Sequence, residues 1–404
     1  MSERRVGLWL IGACGGVGST TALGLAAVAK GLASSTGVVT TLPKYAGVPF
    51  DAPGAFVVGG HDIRQTTLTR GVAELHARSN VFSDQLLTAC GPVLDAWSRN
   101  IRPGVVYRPN AVIAALADRT DVRRSATPRA AIDAIRTDLR AFKAEHALDQ
   151  VVVVNVASTE PPLEVTDEHR SLAALDATLD RTTPSTLPTS SLYAYAALDI
   201  GFPYVNGTPS VGAAIPALNE LAIARKVPYA GQDLKTGETL LKSVLAPLFA
   251  RRNLRVLSWV GHNILGNRDG LVLHDPDNKA SKVKSKDALL GELLGYKPQS
   301  HVSIEYIESL DDWKTAWDHI HFEGFLGTKM TLQFTWQGCD SLLAAPLVID
   351  LARLALLAQR RGESGVMTAC AAFFKSPAGV NEHDFGRQFD MLEKYLTLAA
   401  DERR

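Results

Sequence analysis

The sequence carries no excess charge of either sign. Its 42 lysines and arginines balance 42 aspartates and glutamates, so no global field exists to hold DNA or an anionic membrane. Neither nucleic acid nor a membrane is expected as a partner. Cysteine is scarce. Cys14, Cys90, Cys339 and Cys370 show no CxxC or CxxH spacing, which argues against a zinc site or a disulfide framework and fits a reducing cytoplasm. No apolar stretch approaches the ~20 residues needed to span a bilayer. The apolar run after Arg4 and Arg5 breaks at Gly12, and glycines recur at Gly15, Gly16 and Gly18. It therefore reads as a buried strand entering a glycine loop and not as a signal peptide. Internal repeats and low-complexity domains are lacking too. What remains is an ordinary globular composition, 46% hydrophobic and 21% charged, on a chain long enough for two domains.

The periodicities point to an α/β protein. VGLWLIG (6–12) and QVVVVNVAS (150–158) are continuous apolar runs, as expected of parallel strands buried on both faces. AFVVGG (55–60) is a third. ALGLAAVAKGL reads as a helix directly after the glycine loop. In AAIDAIRTDLRAFKAEHAL, Ile132, Ile135, Leu139 and Phe142 fall on one helical stripe. Strands alternating with helices predict a doubly wound sheet. RTTPSTLPTSS (181–191) reads as an exposed connection. SVLAPLFARRNL reads as a helix and RVLSWVGHNIL as a strand. HVSIEYIESL (301–310) and KMTLQFTWQG (329–338) alternate with a period of two, the mark of a more open sheet. DSLLAAPLVIDLARLALLAQRRG is then a long apolar helix, so the middle of the chain reads as a separate α+β unit.

Two features point to anions. Gly12-Ala-Cys-Gly15-Gly16-Val17-Gly18 is G-x-x-G-x-x-G between a strand and a helix. Glycines there admit a pyrophosphate to the backbone, and the helix presents its positive end. A plain tight turn is the alternative. The acidic residue usual some 20 positions on is missing. Asp62 comes later, either to hold a ribose hydroxyl or to cap the next helix. The second feature is NKASKVKSK (278–286), with Lys279, Lys282, Lys284 and Lys286. It is either a solvated face or the lining of a site for an anionic substrate. Lys282 and Lys286 are four apart and share a face if helical. Oxygen and imidazole donors at His262, His274, Asp275 and Asp277 suggest a metal, but Asp-rich loops are usually turns, and no dedicated metal site is predicted.

Several stretches together resemble the myo-inositol-1-phosphate synthase (inositol-3-phosphate synthase) family. They are VVGGHDI, IRTDLRAFKAEHALDQVVVVNVASTE, LYAYAALDIGFPYVNGTPS, AGQDLKTGETLLKSVLAPLF, NILGNRDG, SKVKSK and DSLLAAPLVIDL, in family order over most of the chain. The resemblance implies a Rossmann domain over 1–230, a catalytic and tetramerisation domain over 231–344, and a segment over 345–404 returning to the Rossmann side. It implies NAD, a homotetramer, and conversion of glucose 6-phosphate to inositol phosphate. In that reaction C5 is oxidised, a proton leaves C6, C6 attacks the C1 aldehyde, and the hydride returns.

By the same resemblance Lys282, Lys286, Lys314 and Lys375 match catalytic lysines, and Asp233 and Asp269 match acidic positions near nicotinamide and substrate. Thr236 and Gly237 match a phosphate-contacting turn. Asn263, Gly266 and Asn267 match a turn over cofactor and substrate, and Leu265 matches a substrate position. Gly12, Gly15, Gly16, Val17, Gly18, Asp62, Ala157, Ser158, Asp340 and Ser341 match cofactor positions, although Asp340 also reads as a plain N-cap. A divalent or monovalent cation is compatible with the family. The chain departs from the family at Val17, Ser19, His61 (usually Trp), Ser158, Gln232 and Arg268. Other readings are a cyclase using fructose 6-phosphate, an ordinary NAD-dependent dehydrogenase, or a catalytically dead regulator, the last disfavoured by the four matched lysines.

Overall fold

The computed structural model describes residues 4–107, 109, 111–182, 187–267, 270 and 289–401. The lysine cluster, Asp269, His274, Asp275 and Asp277 lie outside the described residues.

Seven parallel strands form one sheet. They are β1 (Val6–Ile11), β2 (Phe56–Asp62), β3 (Ile101–Pro103), β4 (Gln150–Asn155), β5 (Tyr204–Asn206), β6 (Pro228–Gly231) and, much later in the chain, Gly365–Val366. The last pairs with β6 at one edge, and β1 lies between β2 and β4. The continuous apolar runs follow from two covered faces. Val6, Leu8 and Leu10 enter one core with Val152 and Val154. Trp9 and Ile11 enter the other with Val151 and Val153. Helix α1 (Gly16–Ala29) packs on the first face. Helix α2 (Leu68–Ser79) follows β2. Helix α3 (Pro128–Glu145) packs on the second face through the predicted stripe of Ile132, Ile135, Leu139 and Phe142.

The segment 181–191 is not simply an exposed connection. Its end starts helix α4 (Thr189–Asp199), and Ser190 and Ser191 are buried. The Glu160 carboxylate accepts from the backbone N–H groups of Thr189 (2.7 Å) and Ser190 (3.0 Å), satisfying the helix start. The Ser191 hydroxyl donates to Gly212 O at 2.8 Å. Composition signals a break in regular structure there but cannot show these remote partners.

A second, four-stranded sheet has the order β10-β9-β7-β8, from β7 (Arg255–Leu265), β8 (Gln299–Tyr306), β9 (Trp313–Glu323) and β10 (Lys329–Cys339). Trp259 and Ile320 face inward onto helix α5 (Gly237–Arg251) through Phe249 and Ala246. Strand pairing puts Val260 opposite His301 and His319, and His262 opposite Ser303 and Trp317, on the outer face. Trp317 is 45% exposed there, and Phe325 and Leu326 at the β9–β10 turn are each 86% exposed.

Helix α6 (Asp340–Arg360) corrects the sequence reading on one point: it is long and apolar enough to cross a bilayer. It lies instead in the core of the first face. Its fully buried Asp350 accepts from Val39 N (2.8 Å) and Thr40 N (2.7 Å), and burial pushes that carboxyl up to about 6. One turn on, Arg353 donates to Asp51 O at 3.0 Å and to the Thr40 hydroxyl. Removing one side of such a buried polar tie leaves the other unsatisfied, which typically costs about 1 to 3 kcal/mol. The chain after α6 supplies the edge strand Gly365–Val366 and places Cys370 in the first core. Its last helix, α7 (Phe385–Asp401), bonds back to the Asp233 segment: Lys235 Nζ donates to Gln388.

Candidate active site

A cleft of about 720 Å³ opens at the C-terminal ends of β1, β2 and β4, the expected ligand position in an open parallel sheet. One wall is the glycine loop. Gly12 takes φ +81°, and the N–H groups of Gly12 and Ala13 both donate to His61 O, at 2.9 and 3.2 Å. Gly15 is the N-cap of α1. No side chain caps this helix, and its first turn holds no acidic residue. Its N-terminus therefore meets the cleft as a set of backbone donors with a positive dipole end, which is a fit for a pyrophosphate. Gly18 is not on the wall but shapes it. A Cβ there would lie 2.5 Å from Ala13 O and 2.7 Å from Gly12 O. Gly18→Ala should force the loop off the helix and weaken NAD binding at least about tenfold. Calorimetric titration of a folded variant checks this, and an unchanged Kd would count against the loop as the nucleotide seat.

Asp62 ends β2 beside the loop. Its Oδ2 accepts from Cys14 N at 2.7 Å and its Oδ1 from Arg64 N at 2.9 Å, and burial pushes its carboxyl up. Thr67, not Asp62, caps α2 by accepting from Arg70 N, so the cap alternative falls. His61, also on β2, is held by partners at both ring nitrogens. Trp9 Nε1 can only donate, and does so to His61 Nδ1 at 3.0 Å. The proton is thus on Nε2, which meets Asp138 Oδ2 at 2.8 Å, and Arg123 braces that carboxylate. Burial pulls the His61 pKa down, so the ring is neutral. Both nitrogens of the buried ring thus have partners.

The opposite wall comes from the second sheet and α6. Lys314 on β9 lies 3.9 Å from Asp340 Oδ1. Asn267 Nδ2 reaches Asp312 Oδ1 (3.3 Å) and Asp340 Oδ2 (3.4 Å). Asp312 Oδ2 accepts from Ser341 N (2.7 Å) and from the Cys339 thiol (2.9 Å), and burial pushes its carboxyl up. Cys339, not Asp340, occupies the N-cap of α6, with Asp340 in the first turn, where a negative charge suits the dipole. Sequence reasoning missed Asp312. Its only signal was its place two residues before Lys314.

A third side joins Lys375 to Asp233. Lys375 Nζ lies 2.9 Å from Asp233 Oδ1, and Lys375 N donates to Asp233 O at 2.7 Å. Asp233 holds φ +64°, a left-handed conformation that Asp tolerates better than most residues. Thr236 also lines the cleft, at the N-cap of α5, and Gly237 follows with φ +58°. The buried Trp336 Nε1, without a partner among the described residues, is 3.8 Å from where a Gly237 Cβ would sit.

The cleft thus brings together Gly12, Gly15, Gly16, Val17, Asp62, Ala157, Ser158, Asp233, Thr236, Asn267, Lys314, Asp340, Ser341 and Lys375. Gly18, Gly237, Asn263 and Leu265 are not on its wall. Asn263 and Leu265 are inward positions of β7 and are buried. Asn263 Nδ2 donates to Glu238 Oε2 at 2.6 Å, and Glu238 pairs with Lys242 at 2.5 Å. Asp269, Lys282 and Lys286 lie outside the described residues.

A Rossmann-type sheet with an uncapped glycine-loop helix facing paired ammonium and carboxylate groups defines the class: a nucleotide-dependent α/β enzyme acting on an anionic substrate. The model of one NAD-binding family, described as myo-inositol-1-phosphate synthase, matches residues 6–397. An inositol-3-phosphate synthase 1 of Bacteroides thetaiotaomicron is 34% identical, covering 97% of this chain and 95% of the relative. An inositol-3-phosphate synthase of Dictyostelium discoideum is 30% identical, covering 88% and 75%. A crystal structure of inositol-3-phosphate synthase from Caenorhabditis elegans superposes with a TM-score of 0.87 at 27% identity, covering 99% of this chain and 86% of that one. The chain belongs to the myo-inositol-1-phosphate synthase family. It is an enzyme of the isomerase class, and NAD is its cofactor.

Proposed function

We propose that the protein cyclises D-glucose 6-phosphate to 1D-myo-inositol 3-phosphate without net oxidation. The observation that carries this reading is the cleft itself, where a glycine loop fitted to a pyrophosphate faces two lysines, each set against a carboxylate. A redox-neutral ring closure needs that combination. Fixed cations stabilise the enolate and alkoxide oxygens, and carboxylates hold those cations in place. When bound, NAD supplies a hydride acceptor at C5 of the sugar and a donor for the closed ring. Gly12, Gly15, Gly16 and Val17 hold its pyrophosphate, Asp62 its ribose, and Ala157, Ser158, Asn267, Asp340 and Ser341 its nicotinamide side.

The substrate phosphate is assigned to the N-terminus of α5, against the Thr236 hydroxyl, the Gly237 N–H and the Trp336 indole, whose N–H has no partner among the described residues. Asn263 steadies that turn through Glu238, and Leu265 anchors the strand end that carries Asn267. Lys314 and Lys375 face the carbonyl oxygens, with Asp233 orienting Lys375. Lys282 and Lys286, with Asp269, complete the set and carry protons during enolisation at C6. Residues 1–230 and 345–404 then form the nucleotide-binding domain, with Lys375 reaching the substrate from its returning segment, and 231–344 supply Asn267, Asp340 and Ser341 to the nicotinamide side and the other substrate groups. A reducing cytoplasm is the proposed location, since all four cysteines are free and buried.

Incubation with glucose 6-phosphate and NAD tests the reading. A phosphate ester releasable by periodate, with no accumulating NADH, is expected. Accumulating NADH would indicate a dehydrogenase, and turnover only of fructose 6-phosphate would move the substrate assignment. The same reading makes the protein a homotetramer whose subunits meet over the outer face of the second sheet. Its exposed Trp317, and Phe325 and Leu326 nearby, support a covered surface. Light scattering at micromolar concentration is expected to give four chains per particle, and a monomer would refute this.

A further inference from the structure

We propose that Glu74 sets the coenzyme preference of this enzyme by holding the Arg64 guanidinium away from the place a ribose 2′-phosphate would take. The inference rests on the proposed seating of the nucleotide ribose at Asp62. Arg64 follows Asp62 by two residues and lines the same part of the cleft as Glu74 and Arg78. In folds of this kind an acidic residue near the end of the second strand receives the 2′-hydroxyl of NAD, and a nearby arginine accommodates the 2′-phosphate of NADP. This chain has both groups at one place, so discrimination depends on what the arginine is doing.

Arg64 is engaged by the protein. Its Nη2 donates to Glu74 Oε2 at 2.7 Å, and its Nη1 makes a long contact to Cys14 O at 3.4 Å. The Arg64 side chain is 15% exposed and the Glu74 side chain 43% exposed. Glu74 comes from α2, so the latch joins the loop after β2 to the next helix across the rim of the cleft. A dianionic 2′-phosphate would meet Asp62 and Glu74 together, with Arg64 already committed. It would have to displace a charge-assisted hydrogen bond and sit beside the released carboxylate. A neutral 2′-hydroxyl meets no such penalty. Arg78, one turn after Glu74 on the same helix, leaves a second cation at the rim. Arg119 is also close enough to act on Asp62, but it is paired with Asp121 at 2.7 Å. Neutralising Glu74 therefore removes one of the two carboxylates at the rim and leaves Arg64 without its partner.

The test is calorimetric titration of NAD and NADP into the full-length wild type, Glu74→Gln and the double variant Glu74→Gln/Arg64→Ala. The readout is the ratio of the two dissociation constants. Glu74→Gln is expected to shift the ratio toward NADP by about tenfold or more, and the double variant to return it near the wild-type value. A folded Glu74→Gln protein with an unmoved ratio would overturn the proposal. So would a double variant that keeps the gain, since Arg64 would then not be the group responsible. Gly18→Ala separates the two ways of failing. If it leaves NAD binding intact, the seating is wrong. If it weakens NAD binding and the ratio still does not move, the role of Glu74 is wrong.

Discussion

Replacing Lys375 by methionine is expected to lower kcat by about 100- to 1000-fold while NAD still binds, the cost of removing one preorganised charge from a transition-state site. The structure gives this lysine two anchors: its own backbone N–H bonds Asp233 O, and its ammonium bonds Asp233 Oδ1. Few conformations are left to it, so in the proposed reaction its charge would already be in place for an oxyanion developing on the sugar. Methionine keeps most of the packing volume and deletes only the cation. Asp233→Asn should cost about tenfold or more by loosening the ammonium without removing it. Steady-state kinetics with a parallel NAD titration decide the matter. A kcat within a few-fold of wild type in a folded Lys375→Met enzyme would remove Lys375 from the chemistry.

A loss of similar size is expected for Lys282→Ala and for Lys286→Ala, each separately, whereas Lys284→Ala should cost less than about a few-fold. In SKVKSK, Lys282 and Lys286 are the two positions matched by the resemblance to the family, while Lys284 sits between them with no match. An ammonium that polarises the C5 oxygen and one that relays the C6 proton cannot be replaced by water at the same place, because each must be desolvated and fixed to act. The contrast among the three is the test. Equal small effects at all three positions would make the segment a solvated face.

Much of the nucleotide half was legible. The β1–glycine loop–α1 unit, the apolar β4 and the stripe of Ile132, Ile135, Leu139 and Phe142 are local patterns whose period sets their structure. The rest depends on contacts between residues far apart in the chain. The edge strand Gly365–Val366 is too short to carry any period and exists because β6 offers it an edge. Asp312 is one acid in DDWK, and only the arrival of Cys339 and Ser341 turns it inward. Lys235 lies between two matched positions yet is 5% exposed, with its pKa pulled down to about 8 by burial, because Gln388 of the last helix closes over it. Asn263 and Leu265 show the converse. Their motif is readable, but strand parity alone turns them toward the core and away from the cleft.

The stoichiometry of product against cofactor tests the central claim most directly. With NAD at one equivalent per site and glucose 6-phosphate in large excess, a redox-neutral cyclase should release inositol phosphate many times over while the NAD pool stays oxidised. Product limited to one equivalent, with matching NADH, would contradict the account.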